Sequence, residues 1–216
     1  EIERKGMQGA DKVVAVSSWT KQVIVEKYGI APEKIEVVHN GVEAKDFKAL
    51  PSDLTALKRA GKKIVLFHGR ITLQKGPDYF VRTAKRVLEY YPDALFIVSG
   101  IGDMLPQMIR ETVQLGISDK VFFVGALWDD ERDRVYQATD IVIMPSVSEP
   151  FGIVPLEALT NGAPVLISKQ SGVAEVLSHA LKSDFWDIDE MANKIVVMLR
   201  NDSLKETLRK NGGKEV

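Results

Sequence analysis

The sequence predicts an α/β fold built on a doubly wound, parallel, Rossmann-like sheet, and three observations carry that reading. Short, uniformly apolar runs recur along the chain, among them KIVLFHG, ALFIVSG, DIVIMPS and APVLIS. Nearly every run is followed by a stretch with helical periodicity. The runs also lack the apolar–polar alternation of a strand with one wet face, so they belong in a sheet covered on both sides. Right-handed crossovers then wind helices onto both faces. In such a sheet ligands bind outside the C-terminal ends of the strands, so the loops that follow the strands are the places to read for function.

The elements follow in order. KVVAVS (Lys12–Ser17) is a buried strand, and SWTKQVIVEKYG is a helix with apolar residues at Trp19, Val23 and Tyr28 that stops at Gly29. KIEVVHNG is a second strand, broken by the turn pair Asn40-Gly41. Residues 42–63 lack strong periodicity and read as a linker with one short helix. A regular series then begins with the strand KIVLFHG and the helix GPDYFVRTAKRVLEYYP, whose Pro77 sits in the first turn, where a missing N–H costs nothing. The strands ALFIVSG, KVFFVG, DIVIMPS and APVLIS follow, with helices over DMLPQMIRETVQLG, DDERDRVYQAT and FGIVPLEALTNG. The acidic start of DDERDRVYQAT suits a helix N-terminus. GVAEVLSHA, DIDEMANKIVVMLRND and SLKETLRKNGG complete the helices.

Composition excludes several functions. The 216 residues are 45% hydrophobic and 27% charged, ordinary for a folded α/β chain with a sizeable core. There is no cysteine, which removes thiol catalysis, zinc–thiolate sites and disulfides, and fits a reducing compartment. The net charge of −1 offers no basic field for a nucleic acid. His39, His68 and His179 are too scattered to read as a metal cluster. No apolar run approaches the ~20 residues of a membrane span, so membrane association is not indicated. The start, EIERKGMQGADK, has neither a signal segment nor an initiator Met. It reads as the start of a fragment, and the expected location is cytoplasmic.

The loops after the strands carry the chemistry. HGRITLQKG places Gly69 directly after a strand, with Arg70 and Lys75 flanking a polar stretch before Gly76-Pro77 opens a helix. Two cations beside free helix N–H groups suit an anion such as a diphosphate; the bland alternative is solvated surface charge. SGIGD offers Gly100 and Gly102 for a tight turn and close ligand approach, but without the third glycine of a dinucleotide fingerprint. VGALWDD offers no reactive side chain; the backbone around Leu127 could hydrogen-bond the edge of a base. In SKQSGVAEV, Ser171 could cap the next helix or touch a phosphate. SEPFGIVPLEAL is the richest. Pro150 keeps Glu149 outside the helix, which would start near Phe151 or Gly152, leaving the N–H groups of Gly152, Ile153 and Val154 open toward the cleft. Glu157 lies about one turn further in. Two carboxylates and an open helix end suit a ligand with both hydroxyls and a phosphate. Singly each signal is loose; together they fall on one edge of one sheet.

These residues resemble the C-terminal, donor-binding half of retaining GT-B glycosyltransferases, the group that includes bacterial glycogen synthases and sucrose synthases. The likeness runs through ADKVVAVSSWTKQVI, KIEVVHNGVE, GRITLQKG, SGIGD, DIVIMPS and SEPFGIVPLEALTNGAPVLIS, and HALKSDFWDIDEMANKI is most similar to glycogen/starch synthase-type enzymes. The resemblance implies one half of a GT-B fold. Residues 1–47 would be the last strand–helix–strand of the acceptor domain, 48–62 a linker and 63–216 the donor-binding domain. It implies transfer of a hexosyl group, glucosyl by default, from a nucleotide-diphosphate sugar with retention of configuration, to an acceptor such as a glucan held by the absent N-terminal domain. Arg70 and Lys75 would bind the diphosphate and Glu149 would contact the donor sugar near the reaction centre. The backbone of Phe151, Gly152, Ile153 and Val154 would hold sugar hydroxyls and phosphate, Glu157 the ribose diol, and Gly69 and Leu127 would complete the donor site. No metal or cofactor is implied. A glycosidase-like pairing of the two glutamates is excluded, because they do not flank a single bond.

The sequence departs from the family pattern at Glu43, where Asp is usual, and at Ser171-Gly172, where Gly-Gly is common. With the rest of the acceptor domain absent, the chain is expected to bind donor weakly and not to transfer sugar alone. The competing reading is a non-catalytic nucleotide-sugar binding module of the same fold; the intact set Arg70, Lys75, Glu149 and Glu157 argues for the enzyme. An epimerase or a phosphorylase of the same fold is a further alternative, with no lysine setting typical of pyridoxal phosphate to support the latter. A nicotinamide dehydrogenase is disfavoured without G-x-G-x-x-G.

Overall fold

In the computed structural model, residues 1–43 and 49–216 are described. Strands β1 (Val13–Ala15), β2 (Ile35–Val37), β3 (Lys63–His68), β4 (Ala94–Ser99), β5 (Val121–Gly125), β6 (Ile141–Met144), β7 (Val165–Ser168) and β8 (Leu181–Ser183) form two sheets. β1 and β2 pair in parallel on their own, over a small core of Val13, Ala15, Ile24, Ile30 and Ile35. The other six form one sheet, in the order β5-β4-β3-β6-β7-β8. All its pairs are parallel. The boundary expected between residues 47 and 48 lies outside the described residues.

The helices are α1 (Ile2–Gly9), α2 (Ser18–Val23), α3 (Ser52–Arg59), α4 (Pro77–Leu88), α5 (Leu105–Gln114), α6 (Asp129–Ala138), α7 (Val154–Thr160), α8 (Ile188–Arg200) and α9 (Asp202–Gly212). Side chains along β3 alternate between faces. Val65 and Phe67 join a core shared with α4, α5 and α8, while Ile64 and Leu66 join one shared with α3, α6 and α7. Burial on both faces is why the strands read as uniform apolar runs.

Several expectations are corrected. The helix expected over GVAEVLSHA is only a 3₁₀ turn, Gly172–Glu175, and Ser171 does not cap it: its hydroxyl donates to the Ser168 carbonyl at 2.6 Å. The chain then enters β8, which pairs with β7 and was hidden in a three-residue segment. The helix expected over residues 18–29 changes pitch after Val23 and continues as a π-helical stretch, Ile24–Tyr28, before Gly29 ends it in the left-handed conformation. α1, which was not predicted from the sequence, has no fully buried residue; Met7 is half-buried against the small core of β1 and β2.

The strand order reverses direction between β3 and β6. Successive connections run outward through β4 and β5 on one side and through β7 and β8 on the other. Adjacent crossovers therefore leave on opposite faces, and a crevice opens outside the C-terminal ends of β3 and β6. The loops that flank it are 69–76 and 145–153.

Candidate functional site

The β3 and β6 loops are tied to each other by their backbones and side chains. The Val147 N–H donates to the Gln74 carbonyl at 2.9 Å, and the Gln74 side-chain amide donates to the Ser148 carbonyl at 2.9 Å. Gly76 lies so close to β6 that a Cβ there would come within 2.1 Å of the Pro145 carbonyl oxygen. This junction brings Lys75 against Glu149 in an ion pair. Glu149 is buried, 7% exposed. Its other neighbour is the Ser146 hydroxyl, at 3.5 Å.

Glu149 lies outside the helix, as Pro150 requires, and its backbone is clamped. Its N–H donates to the Gln170 carbonyl at 3.1 Å and its carbonyl accepts from the Gly172 N–H at 2.9 Å. The helix that follows begins later than expected. Phe151 is buried, its carbonyl accepts from the Val173 N–H at 2.8 Å, and its ring stacks on His39 with centroids 5.8 Å apart. Gly152 has φ of 103°, which no helical residue adopts. α7 therefore starts at Val154, and the N–H groups of Gly152 and Ile153 find no protein acceptor among the described residues. Phe151 thus contributes to the site by shaping the loop, with its own carbonyl already engaged.

Arg70 is exposed, makes no ion pair among the described residues, and reaches only the Gln74 side chain, at 3.5 Å. Glu157 is one turn into α7 and faces α6. Arg132 pairs with one of its oxygens at 3.1 Å, and the Tyr136 hydroxyl donates to the other at 3.2 Å. Burial, together with the Glu157 charge, pushes the Tyr136 phenol well above its ordinary range, so it remains a hydrogen-bond donor.

Beside Arg70 the C-terminal ends of β3, β4 and β5 enclose a pocket of about 390 Å³, lined by Gly69, Arg70, Leu127 and Trp128 among others. Trp128 is 70% exposed. Gly100 and Gly102 line this pocket, and they also let the chain approach itself. A Cβ at Gly100 would come within 1.8 Å of the Gly69 carbonyl oxygen, and one at Gly102 within 2.2 Å of that of Ile71. The pocket wall exists because these loops nest backbone against backbone. His68 forms part of the same wall. Burial, with a smaller effect from Arg132, lowers its pKa to about 4, so its imidazole is neutral at pH 7.

The structure thus brings Arg70, Lys75 and Glu149 to one crevice, with Gly69 and Leu127 in the adjoining pocket. Glu157 stands on the neighbouring helix among Arg132 and Tyr136. His68, Trp128, Arg132 and Tyr136 were not singled out by the sequence. Arg132 lies in the charged run DDERDR, which reads as a solvated helix face, and Tyr136 reads as an ordinary core position. Among the described residues, no group of three or more His, Asp or Glu side chains is placed to hold a metal ion, and no helix is long and apolar enough to cross a membrane.

A family model, glycosyl transferases group 1, matches residues 55–215. The chain belongs to this family. A second model, glycosyltransferase family 4, matches residues 1–46. Among curated relatives, an uncharacterized glycosyltransferase of Methanocaldococcus jannaschii, MJ1607, is 31% identical over 216 residues, covering 95% of this chain and 55% of its own length. D-inositol 3-phosphate glycosyltransferase of Nocardia farcinica is 34% identical over 184 residues, 80% of this chain and 40% of its own length. The chain therefore spans about half the length of the curated relatives it matches. The crystal structure of Anabaena Alr3699/HepE in complex with UDP-glucose superposes with a TM-score of 0.84 at 22% identity, over 98% of this chain and 62% of that one. The fold of this group 1 glycosyltransferase chain is thus that of GT-B glycosyltransferases.

Proposed function

We propose that the chain is the donor-binding half of a retaining glycosyltransferase that moves a hexosyl group from a nucleotide-diphosphate sugar to an acceptor hydroxyl. One observation carries this: Arg70, Lys75 and Glu149 converge at the switch point of the sheet, next to a nucleoside-sized pocket. Arg70 and Lys75 take the diphosphate, Glu149 the sugar, the N–H groups of Gly152 to Val154 the sugar and phosphate oxygens, Glu157 the ribose diol, and Leu127 the base. During transfer the bond from the sugar C1 to the diphosphate oxygen breaks, and a bond from C1 to the acceptor oxygen forms on the same face. The acceptor proton leaves with the nucleoside diphosphate. The two cations stabilise the charge that grows on the diphosphate as that bond breaks. No metal or cofactor is required on this reading.

Glucose is the expected sugar and a glucan the expected acceptor, from the synthase-like tail; a phosphorylated polyol, such as the relatives named for D-inositol 3-phosphate imply, is the competing acceptor. The acceptor is held by residues beyond this chain, and the reaction is assigned to the cytoplasm, with this chain inactive in transfer by itself. The alternative is a nucleotide-sugar binding module without transfer. Calorimetry of this chain with ADP-glucose, UDP-glucose and GDP-mannose tests the assignment. One of them is expected to bind, and Arg70→Ala and Lys75→Ala to abolish that binding. A folded chain that binds none of the three overturns the donor-site reading.

A further inference from the structure

His68 ends β3 and sits in register with Ser99 at the end of β4. Its Nδ1 lies 3.0 Å from the Ser99 hydroxyl oxygen. That hydroxyl has a single proton, and it donates to the Gly125 carbonyl at 3.2 Å. Toward His68 the Ser99 oxygen can therefore only accept, so Nδ1 carries the ring proton. Nε2 is left with its lone pair. It has no protein partner among the described residues, and it is not among the fully buried unpartnered atoms, so it opens to the pocket. The ring is fixed from its side by the edge of Tyr136, with centroids 5.6 Å apart at 73°.

The pocket lining makes this lone pair consequential. Arg70 and Trp128 can only donate, and Ile101, Ala126 and Leu127 do neither. Side-chain acceptance in the pocket falls to His68 and Thr72. Tyr136, against the same ring, leads to Glu157. The imidazole thus stands between the pocket and the carboxylate assigned to the ribose.

We propose that His68 is a specificity-determining residue of the donor site, its Nε2 accepting a hydrogen bond from an N–H of the base or an O–H of the ribose of the bound nucleotide. This rests on the donor-site reading above. Ser99 is the positioning residue that fixes the tautomer.

The test is calorimetry of UDP and ADP on this chain and on His68→Phe, which keeps a ring against Tyr136 but has no acceptor. His68→Phe is expected to weaken the nucleotide roughly tenfold, the usual scale for one lost hydrogen bond at a buried site. The 2′-deoxy nucleotides and the base-methylated N3-methyl-UDP and N6,N6-dimethyl-ADP separate the two sources. The analogue lacking the relevant donor loses the same factor on the unmodified chain and nothing further on His68→Phe. Unchanged binding in His68→Phe, alongside loss in Arg70→Ala, overturns the role of His68 while the donor site stands. Absence of nucleotide binding by the unmodified chain overturns the donor site and His68 with it. Imidazole ¹⁵N spectra, assigned by His68→Phe, check the tautomer without ligand: a protonated Nδ1 and bare Nε2 at pH 7 are expected, and the reverse overturns the proposal.

Discussion

Removing the charge of Lys75 should damage stability and donor binding by separable routes. The Lys75 and Glu149 side chains are 19% and 10% exposed, so their ion pair is largely shielded from water. Lys75→Met keeps the aliphatic stem but strands a buried carboxylate whose remaining contact is a 3.5 Å approach of Ser146. Breaking one partner of a buried pair costs about 3–5 kcal/mol. The residual exposure of Lys75 places this site at the low end, about 3 kcal/mol, which for a chain of this size lowers Tm by roughly 6–12 °C. Glu149→Gln is milder, about 1–2 kcal/mol, because an amide oxygen still accepts from Lys75. The double variant Lys75→Met/Glu149→Gln contains no stranded charge and should recover part of the loss, giving a coupling of about 2 kcal/mol in a double-mutant cycle measured by urea unfolding. Nucleotide-sugar binding, by contrast, should be lost in Lys75→Met and should not return in the double variant. Single costs that add to within about 0.5 kcal/mol would refute the buried-pair account.

Two further outcomes follow from neighbouring features. Asp140, 2% exposed, joins α3 and α9 to the sheet: it accepts from Lys58 at 2.6 Å, Lys205 at 3.0 Å and the Ile64 N–H at 2.8 Å. Burial pushes its carboxyl up, but Lys58, the Ile64 N–H and Lys205 together outweigh that and hold it below the usual range. Because the folded value is the lower one, its contribution is complete above the unfolded pKa of about 3.9 and is lost as pH falls through the folded value. Asp140→Asn should therefore cost about 2–3 kcal/mol at pH 7, and urea unfolding near pH 3 should show a smaller gap; a gap independent of pH would contradict the assignment. Trp128→Ala should weaken nucleotide binding by about 1–3 kcal/mol if a base stacks there, and nucleotide should quench the Trp128 emission in a fluorescence titration of the unmodified chain. Equal quenching in Trp128→Ala, from Trp19 or Trp186, would remove it from the site.

The parts of the fold that were legible are those where one physical cause dominates the sequence. Strands β3, β4, β6 and β7 are buried on both faces, so they are apolar except at their ends, where Lys63, His68, Ser99 and Ser168 stand. β8 was not legible because three residues, Leu181–Ser183, with only Ser183 buried, carry no pattern. The start of α7 was misjudged because Pro155 is compatible with a helix opening anywhere in the preceding turn, whereas the decision was made by Phe151 entering the core and by the positive φ of Gly152. In the site, Arg70, Lys75, Glu149 and Glu157 could be proposed from spacing, since their loops were legible. Their partners could not. Nothing in the sequence says that Arg132 turns inward to Glu157, or that the proton of Ser99 fixes the ring of His68, because such contacts depend on which strands become neighbours.

Those partners change what the two glutamates mean. On the proposed reading, each is already matched with a cation before any donor arrives: Glu149 with Lys75, Glu157 with Arg132. Of the three cations and two carboxylates, Arg70 alone remains without an ion pair among the described residues. The group thus presents a net charge of +1 to a diphosphate carrying about two negative charges. Arg70 is then the group that meets the donor first, and movement of Lys75 toward the phosphates weakens its hold on Glu149. That exchange leaves a buried carboxylate in need of new donors, at a cost of the same order as breaking the pair. On the same reading, the hydroxyls of a nucleotide sugar would supply them, and a bare nucleoside diphosphate would not. Recognition of the phosphate and of the sugar is therefore coupled through one ion pair, and the site should favour the nucleotide sugar over the bare nucleotide.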